Sequence, residues 1–268
     1  MSRMASTFQR LAQQGRKALI PFFTVGDPQL ELSLPVMQAL VAEGADILEL
    51  GIPFSDPMAD GPTIQRASER ALKNGVTLTD VLAVVTEFRR ENQTTPVVLM
   101  GYANPIERLG LDTFATQCQA AGVDGVLVVD YPPFEARRLK EALGRYGIDM
   151  IFLLSPTSTE QRIREISELA TGYLYYVSLR GVTGAGGVDL EEVKAQVQRI
   201  KTHTQIPVGV GFGIRDGHMA RRMAAMADAV VVGSRLVEEI ESSPSPEDVP
   251  QRVGSLIRQF RQTMDGVQ

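Results

Sequence analysis

Two carboxylates, Glu49 and Asp60, stand 11 positions apart in the stretch 48–61, which reads Leu-Glu-Leu-Gly-Ile-Pro-Phe-Ser-Asp-Pro-Met-Ala-Asp-Gly. Glu49 lies within a short apolar strand pattern, where an ionised carboxylate is costly unless it is paired, hydrogen-bonded or protonated. Prolines and glycines then end the strand and stiffen a loop that carries Asp60. One strand-to-loop element therefore holds two acids, an arrangement suited to acid–base chemistry.

Each acid alone also has an ordinary structural explanation. A glutamate at a strand position is often part of a salt bridge, and an Asp-Gly pair such as Asp60-Gly61 usually marks a turn. Few other residues are candidates for moving protons. Cys118, the single cysteine, falls in a helical pattern where a small buried residue is expected, and His203 and His218 lie away from every motif. Proton transfer is therefore expected to fall to carboxylates or tyrosines.

The overall composition predicts an ordinary globular protein without a polyanionic partner. The chain has 268 residues, a hydrophobic fraction of 44%, a net charge of −5 and a pI near 5.2, so nothing in it favours nucleic acid or an anionic membrane. Its longest early apolar run, 18–25, is interrupted by Pro21 and is too short to span a bilayer. A single cysteine fits a reducing compartment, and we expect a cytoplasmic location.

Strand-like apolar runs alternate with helical segments along the chain. Most runs are rich in Val, Ile and Leu without polar alternation, as in a parallel sheet buried on both faces. Eight such units indicate an α/β fold of the (β/α)8 TIM barrel type, with residues 1–268 as a single domain. A short helix is predicted before the first strand and an extra helix between strands 2 and 3. An open doubly wound sheet is the alternative, but it usually has fewer strands. The predicted strands are 18–24, 46–51, 96–101, 125–130, 149–154, 173–178, 207–211 and 229–232.

Glycine-rich segments follow the last three predicted strands, at 180–187, 211–213 and 233–234. The carboxyl ends of barrel strands carry the active site, and phosphate is commonly held there by backbone N–H groups and the start of a helix. One glycine turn alone would be explained by ordinary turn formation. Three clusters at neighbouring strand ends, the last with the hydroxyl of Ser234, predict a phosphate site instead. Neither a P-loop nor a dinucleotide fingerprint is present.

The stretch 48–61 resembles, nearly residue for residue, the signature of the tryptophan synthase alpha chain family. The runs Gly-Val-Thr-Gly at 181–184, Gly-Val-Gly-Phe-Gly at 209–213 and Gly-Ser at 233–234 are similar to that family as well, so the resemblance covers nearly the whole chain. It implies the cleavage of indole-3-glycerol phosphate to indole and glyceraldehyde 3-phosphate, which is a retro-aldol reaction.

The resemblance also implies roles for individual residues. Glu49 would move the proton between the glycerol hydroxyl and the indole ring carbon, and Asp60 would hydrogen-bond the ring N–H and stabilise the positive charge that develops there. The glycine-rich loop that bears Thr183 would close as a lid and exclude water. The residues expected to bind substrate are Phe22, Tyr102, Leu127, Tyr175, Thr183, Gly184, Phe212, Gly213, Gly233 and Ser234. Of these, the three glycines and Ser234 would hold the phosphate, and Phe22, Leu127, Tyr175 and Phe212 would wall the indole.

The resemblance further implies a partner. A beta chain carrying pyridoxal phosphate would consume the indole, in an alpha2beta2 tetramer contacted through residues 53–60 and the region of Asn104-Pro105. This chain itself is expected to hold no cofactor and no metal. Some positions depart from the family pattern: Met100 and Val129 stand where Leu and Ala are expected, at the floor of the pocket, and Glu107 and Leu109 replace an aromatic residue common after Asn104-Pro105.

Two other functions stay open at this point. A barrel with the same phosphate site could catalyse a different isomerase or lyase step on a sugar phosphate, or the chain could be a non-catalytic subunit that activates a partner. The presence of both Glu49 and Asp60 argues against the non-catalytic alternative. A Glu49→Gln variant distinguishes the lyase from a different sugar-phosphate enzyme. The different enzyme would keep its full rate, whereas the lyase interpretation predicts that activity collapses.

Overall fold

Eight parallel strands close into a barrel in the computed structural model, which describes residues 2–177, 189–211 and 213–266. Each strand pairs with the next one in chain order, and the last pairs with the first. The predicted (β/α)8 fold is thereby confirmed, and the open doubly wound sheet is excluded. The strands are β1 (Ala18–Thr24), β2 (Leu48–Gly51), β3 (Val97–Gly101), β4 (Gly125–Val128), β5 (Asp149–Leu154), β6 (Leu174–Val177), β7 (Val208–Gly211) and β8 (Ala229–Val232).

Helices surround the barrel and cover the outer faces of its strands. Short 3₁₀ turns at Leu30–Leu32 and Pro246–Asp248 precede two of them. The helices are α1 (Arg3–Gln13), α2 (Ser33–Ala42), α3 (Pro62–Lys73), α4 (Leu78–Glu91), α5 (Ala103–Leu109), α6 (Leu111–Ala121), α7 (Pro133–Gly144), α8 (Glu160–Leu169), α9 (Leu190–Lys201), α10 (Gly217–Ala224), α11 (Ser234–Glu241) and α12 (Val249–Asp265).

The strands are buried on both faces, which explains their continuous apolar sequences. On β1, Ile20 packs inside the barrel, whereas Leu19 and Phe23 pack in the layer between the barrel and the helices. Because successive side chains of a strand point to opposite faces, this alternation assigns Phe22 and Thr24 to the inside as well. The inside of the barrel is therefore a packed core at one end and can open into a site only at the strand ends.

Helix α1 closes the amino-terminal end of the barrel. Its apolar residues Met4, Phe8 and Leu11 belong to the same buried cluster as the inward side chains of the strands. The ring of Phe8 lies 6.1 Å from the ring of Tyr173, measured between centroids. The short leading helix predicted from the sequence thus has a structural task, which is to keep water out of the barrel from below.

Carboxylates staple neighbouring strands at this same amino-terminal end. An aspartate just before β2, β4 or β8 accepts a hydrogen bond from a backbone amide at the start of the preceding strand, at 2.8–3.0 Å. Each such carboxylate also meets a cation at 2.6–3.1 Å. The amide, acid and cation are Leu19, Asp46 and Arg261; Val97, Asp124 and Arg89; and Val208, Asp228 and Lys201. We call these three residues the amino-end aspartates.

The connection from β2 to β3 is long and contains both α3 and α4. Helix α3 begins at Pro62, a position where proline has its φ already set for a helix and needs no amide donor. Helix α4 begins with a capping box between Thr77 and Asp80. An extra helix was predicted in this connection, and α3 and α4 lie there.

Two helices have no counterpart among the elements predicted from the sequence. Helix α5 starts directly after β3, and its first turn contains the Asn104-Pro105 pair. Helix α11 starts at Ser234, directly after β8. Both are short and follow a strand without a polar break, so neither shows a long apolar period of its own.

Candidate active site

Glu49 lies on β2 and is completely buried inside the barrel, with Phe22 of β1 and Val98 of β3 as its register neighbours. The hydroxyl of Tyr173 donates a hydrogen bond to its Oε1 atom at 2.9 Å. Among the described residues, Oε2 is buried and has no hydrogen-bond partner. Burial raises the pKa of Glu49 to about 7, although the bond from Tyr173 lowers it. The carboxyl is therefore neutral for much of the range below pH 7 and can act as an acid.

Asp60 lies in the loop after β2 and is only partly buried. The hydroxyl of Tyr102 donates a hydrogen bond to its Oδ2 atom at 2.9 Å. Burial raises the pKa of Asp60, and the bond from Tyr102 works against that rise. The side-chain amide of Gln65 in α3 donates to the Asp60 carbonyl at 2.9 Å and fixes the backbone. Asp60 is thus more exposed than Glu49, yet it is not simply solvated.

A cavity opens at the carboxyl ends of β1 to β4. It brings together Asp60, Phe22 and Tyr102, which the sequence indicated as site residues. Met100 and Val129, two of the departures from the expected family pattern, also line it. Glu49 lies below this cavity. Its strand neighbour on the same face is Gly51, where a side chain would meet the Phe22 ring at 2.7 Å. The glycine therefore leaves the room that Phe22 needs above the buried acid.

Tyr175 and Leu127 lie inside the barrel rather than in the lining of this cavity. Leu127 on β4 is fully buried in the inner cluster, and the half-buried Tyr175 on β6 packs against that cluster. A side chain at Gly211 of β7 would lie 2.7 Å from Cε2 of Tyr175, so the ring covers that glycine. Burial raises the pKa of Tyr175, and the charges of Glu49 and Asp60 raise it further, which places the phenol within electrostatic reach of both acids.

Two of the glycines expected to hold phosphate, Gly213 and Gly233, lie at the ends of β7 and β8. Gly213 has a φ of 69°, a left-handed conformation that favours glycine. Gly233 precedes α11, and a side chain there would lie 3.6 Å from the Phe22 ring, so this corner borders the cavity. The first backbone bonds of α11 run from Leu236 and Val237 to the Gly233 carbonyl, which leaves earlier amides of the helix start for a ligand.

Comparisons with known proteins agree over the length of the chain. Residues 8–265 match the family model described as the tryptophan synthase alpha chain. The chain is 59% identical to the tryptophan synthase alpha chain of Burkholderia multivorans (99% of this chain, 98% of that one) and 58% identical to that of Aromatoleum aromaticum (100% and 98%). The solved structure of tryptophan synthase subunit alpha from Legionella pneumophila superimposes with a TM-score of 0.93 at 45% identity, covering 99% of each chain.

This chain belongs to the tryptophan synthase alpha chain family. The family cleaves indole-3-glycerol phosphate, and the chain is a lyase of that step in tryptophan biosynthesis. The expectation of a different sugar-phosphate enzyme is thereby excluded, as is that of a subunit without catalysis. In the part of the chain that the structure describes, no helix has the length and apolar character needed to cross a bilayer.

Three residues expected to bind substrate, Thr183, Gly184 and Phe212, lie outside the described residues. The lid expected around Thr183 lies outside them too.

Two residues at the site were not predicted from the sequence. Tyr173 was treated only as the start of a strand, although its spacing of two from Tyr175 places both phenols on one strand face. Thr24 lines the cavity beside Asp60, and its buried hydroxyl has no partner among the described residues. The signal for Thr24 was its place two positions after Phe22, on the inward face of β1.

Proposed function

We propose that Glu49 and Asp60 are the two acid–base groups with which this lyase cleaves indole-3-glycerol phosphate. The observation that carries this proposal is the state of Glu49: it is fully buried, it is bonded through one oxygen to Tyr173, and its pKa is raised by burial to about 7. Protonation of an aromatic carbon requires an acid held in a dry site, and these surroundings supply one.

In this scheme Glu49 both gives and takes one proton. Its carboxyl turns from Tyr173 toward the cavity and protonates the ring carbon that carries the glycerol chain. The resulting carboxylate then takes the proton of the adjacent glycerol hydroxyl, which becomes the aldehyde as the carbon–carbon bond breaks. The bonding electrons return to the ring and restore indole. Glu49 ends protonated, so the cycle needs no outside acid or base.

Asp60 stabilises the intermediate in the same scheme. Protonation of the ring carbon leaves positive charge on the ring nitrogen, and an ionised carboxylate that accepts the N–H hydrogen bond offsets it. Asp60 lines the cavity and is the more exposed of the two acids. Two carboxyl groups in unlike surroundings can therefore take different roles in one reaction.

We assign the remaining contacts by the chemistry of each group. Phe22, Leu127, Tyr175 and Phe212 would wall the flat indole ring, and Tyr102 would lie at its N–H edge. The amides around Gly184, Gly213, Gly233 and Ser234, with the start of α11, would hold the phosphate, and Thr183 would act from the lid. The positive φ of Gly213 and the border between Gly233 and Phe22 support this arrangement.

We further propose that the chain is a single barrel domain that works in the cytoplasm with a beta chain, as an alpha2beta2 tetramer. The loop 53–60 presents Met58, whose side chain is 85% exposed, on the same element as Asp60. This exposure leaves the side chain open to contact with a partner. No cofactor would reside in this chain; pyridoxal phosphate would belong to the beta chain, and nucleic acid would have no part.

The test is indole release from indole-3-glycerol phosphate by the purified chain, with and without a beta chain. Wild type is expected to release indole in both cases and faster with the partner. Glu49→Gln and Asp60→Asn are expected to abolish release, while Tyr146→Phe, at an exposed phenol bonded to Thr116, leaves it unchanged. Full activity of Glu49→Gln would refute the assignment.

A further inference from the structure

Tyr102 stands on a rigid part of the barrel. It is 4% exposed and lies between β3 and α5. The backbone is held on both sides of it, because the Gly101 carbonyl accepts the Val129 amide at 3.0 Å and the Ala103 amide donates to the Asp130 carboxylate at 2.8 Å. The phenol of Tyr102 therefore projects from a fixed base.

From this base the side chain makes three contacts with the loop that carries Asp60. Its oxygen accepts a hydrogen bond from the Ala59 amide at 3.1 Å and donates one to Oδ2 of Asp60 at 2.9 Å. Its ring stacks on Phe54, with centroids 4.9 Å apart and planes 25° from parallel. Gln65 of α3 holds the Asp60 carbonyl, and Tyr102 supports the same loop from the side of the barrel.

The two hydrogen bonds fix the orientation of the phenol. A phenol has one O–H to donate, and the Ala59 amide occupies an acceptor site on the same oxygen, which leaves the O–H directed at Asp60. With Oδ2 so engaged, Oδ1 is the oxygen left for the ring N–H of the substrate. A carboxylate oxygen misplaced by even about 1 Å loses much of its effect on a reaction.

We propose that Tyr102 is a positioning residue for the cleavage, which aims Oδ1 of Asp60 at the indole N–H and holds the Asp60 loop in place. This inference rests on the proposed role of Asp60. It differs from the expectation that Tyr102 merely contacts substrate, because its hydroxyl acts through Asp60.

The test uses Tyr102→Phe, which keeps the ring and its stack on Phe54 but removes both hydrogen bonds. We expect kcat for indole release to fall about 10-fold to 100-fold while KM changes less than about twofold. The hydrogen bond from Tyr102 favours the ionised form of Asp60. Without it the pKa of Asp60 rises, and the acidic limb of the pH profile of kcat moves to higher pH. Tyr146→Phe, which also loses a phenol hydroxyl, should leave both unchanged.

A second variant tests the same bond in the opposite sense. Incorporation of 3-fluorotyrosine at position 102 makes the O–H a stronger donor with little change in size. The acidic limb should then move to lower pH. This variant keeps all the contacts of the native side chain, so it remains informative if Tyr102→Phe unfolds.

The outcomes separate this inference from the function on which it rests. If wild type releases no indole, the proposed roles of Glu49 and Asp60 fail. If wild type is active and Asp60→Asn is inactive, but Tyr102→Phe keeps at least half of its kcat with an unshifted acidic limb, the role of Tyr102 alone is overturned. A rise in KM with kcat unchanged would also overturn it, because Tyr102 would then be a simple substrate contact.

Discussion

Three buried aspartates at the amino-terminal end of the barrel and the two acids of the site are bonded in opposite ways. At the amino-terminal end, each of the amino-end aspartates accepts a hydrogen bond from a strand amide and pairs with a cation, as Asp124 does with Val97 and Arg89. At the carboxyl end, Glu49 and Asp60 are bonded to the neutral phenols of Tyr173 and Tyr102. A phenol orients a carboxyl group without neutralising it.

The difference shows in the forces that set each pKa. Burial alone would raise the pKa of Asp228, but the bond and charge of Lys201, the Val208 amide and the charge of Lys17 outweigh it and lower the pKa. For Glu49 burial prevails, and the pKa rises to about 7. Asp46 also has a raised pKa, because burial outweighs the Leu19 amide and the nearby arginines. The amino-end aspartates, which pair with cations, hold neighbouring strands together. Glu49 and Asp60, which are bonded to neutral phenols, remain able to exchange protons.

The largest expected effect is on catalysis at the carboxyl end. Glu49→Gln removes the only proposed proton carrier, so kcat for indole release should fall about 1,000-fold or more. Thermal unfolding of the variant near neutral pH should show no loss of stability, because no ion pair is broken. A variant that is less stable than wild type but keeps its kcat would contradict the difference drawn between the two ends.

The second effect is on stability at the amino-terminal end. Asp124→Asn leaves the buried guanidinium of Arg89 without its charge partner, and the free energy of unfolding should fall by about 3 kcal/mol in urea titrations. The folded fraction should keep its kcat. Asp112→Asn is the matched control, since its pair with Arg145 is exposed, and a loss below about 1 kcal/mol is expected there. Equal losses of unfolding free energy in the two variants would contradict the role given to the amino-end aspartates.

A third effect is the pH dependence of stability contributed by Glu49. Its pKa is about 7 in the folded chain against 4.5 for the free group, so the folded state binds the proton more tightly. The contribution is full below pH 4.5 and is lost as the pH rises through 7, by about 3 kcal/mol in all. Wild type should therefore lose stability relative to Glu49→Gln over this window. Parallel curves for the two proteins would show that Glu49 is not buried as described.

The smallest effect concerns the phosphate corner. Gly213→Ala forces a side chain into a left-handed conformation and crowds the amides there, so KM should rise several-fold at a cost of about 1 kcal/mol in stability. Gly147→Ala is the control, because Gly147 has a similar φ of 68° and open space around it, and it lies before the start of β5, at the end of the barrel opposite the phosphate corner. It should show the same loss of stability and an unchanged KM.

The local features of this molecule could be read from its sequence. The strands of β1, β5 and β8 lie at the predicted residues, because long apolar runs bounded by turn residues encode strands directly. The predicted helical connection between strands 2 and 3 is present as α3 and α4. Helices α5 and α11 were missed, since each is a short segment whose position depends on the strand before it.

The partners of the two acids could not be read in the same way. Tyr173 is 124 positions from Glu49, and Tyr102 is 42 from Asp60. Such contacts follow from the register and tilt of the closed barrel, which no local pattern encodes. The sequence indicated that two acids matter, but the phenols that hold them became visible only in the folded chain.

Helix α1 links the start of the polypeptide to chemistry at the opposite end of the barrel. Its Phe8 packs on Tyr173, and Tyr173 in turn bonds Glu49. Deletion of the first thirteen residues would expose Tyr173 to solvent and give the acid a hydrated neighbourhood. The proton of Glu49 would then be released at lower pH, so loss of α1 would shift the pH range in which the enzyme is active.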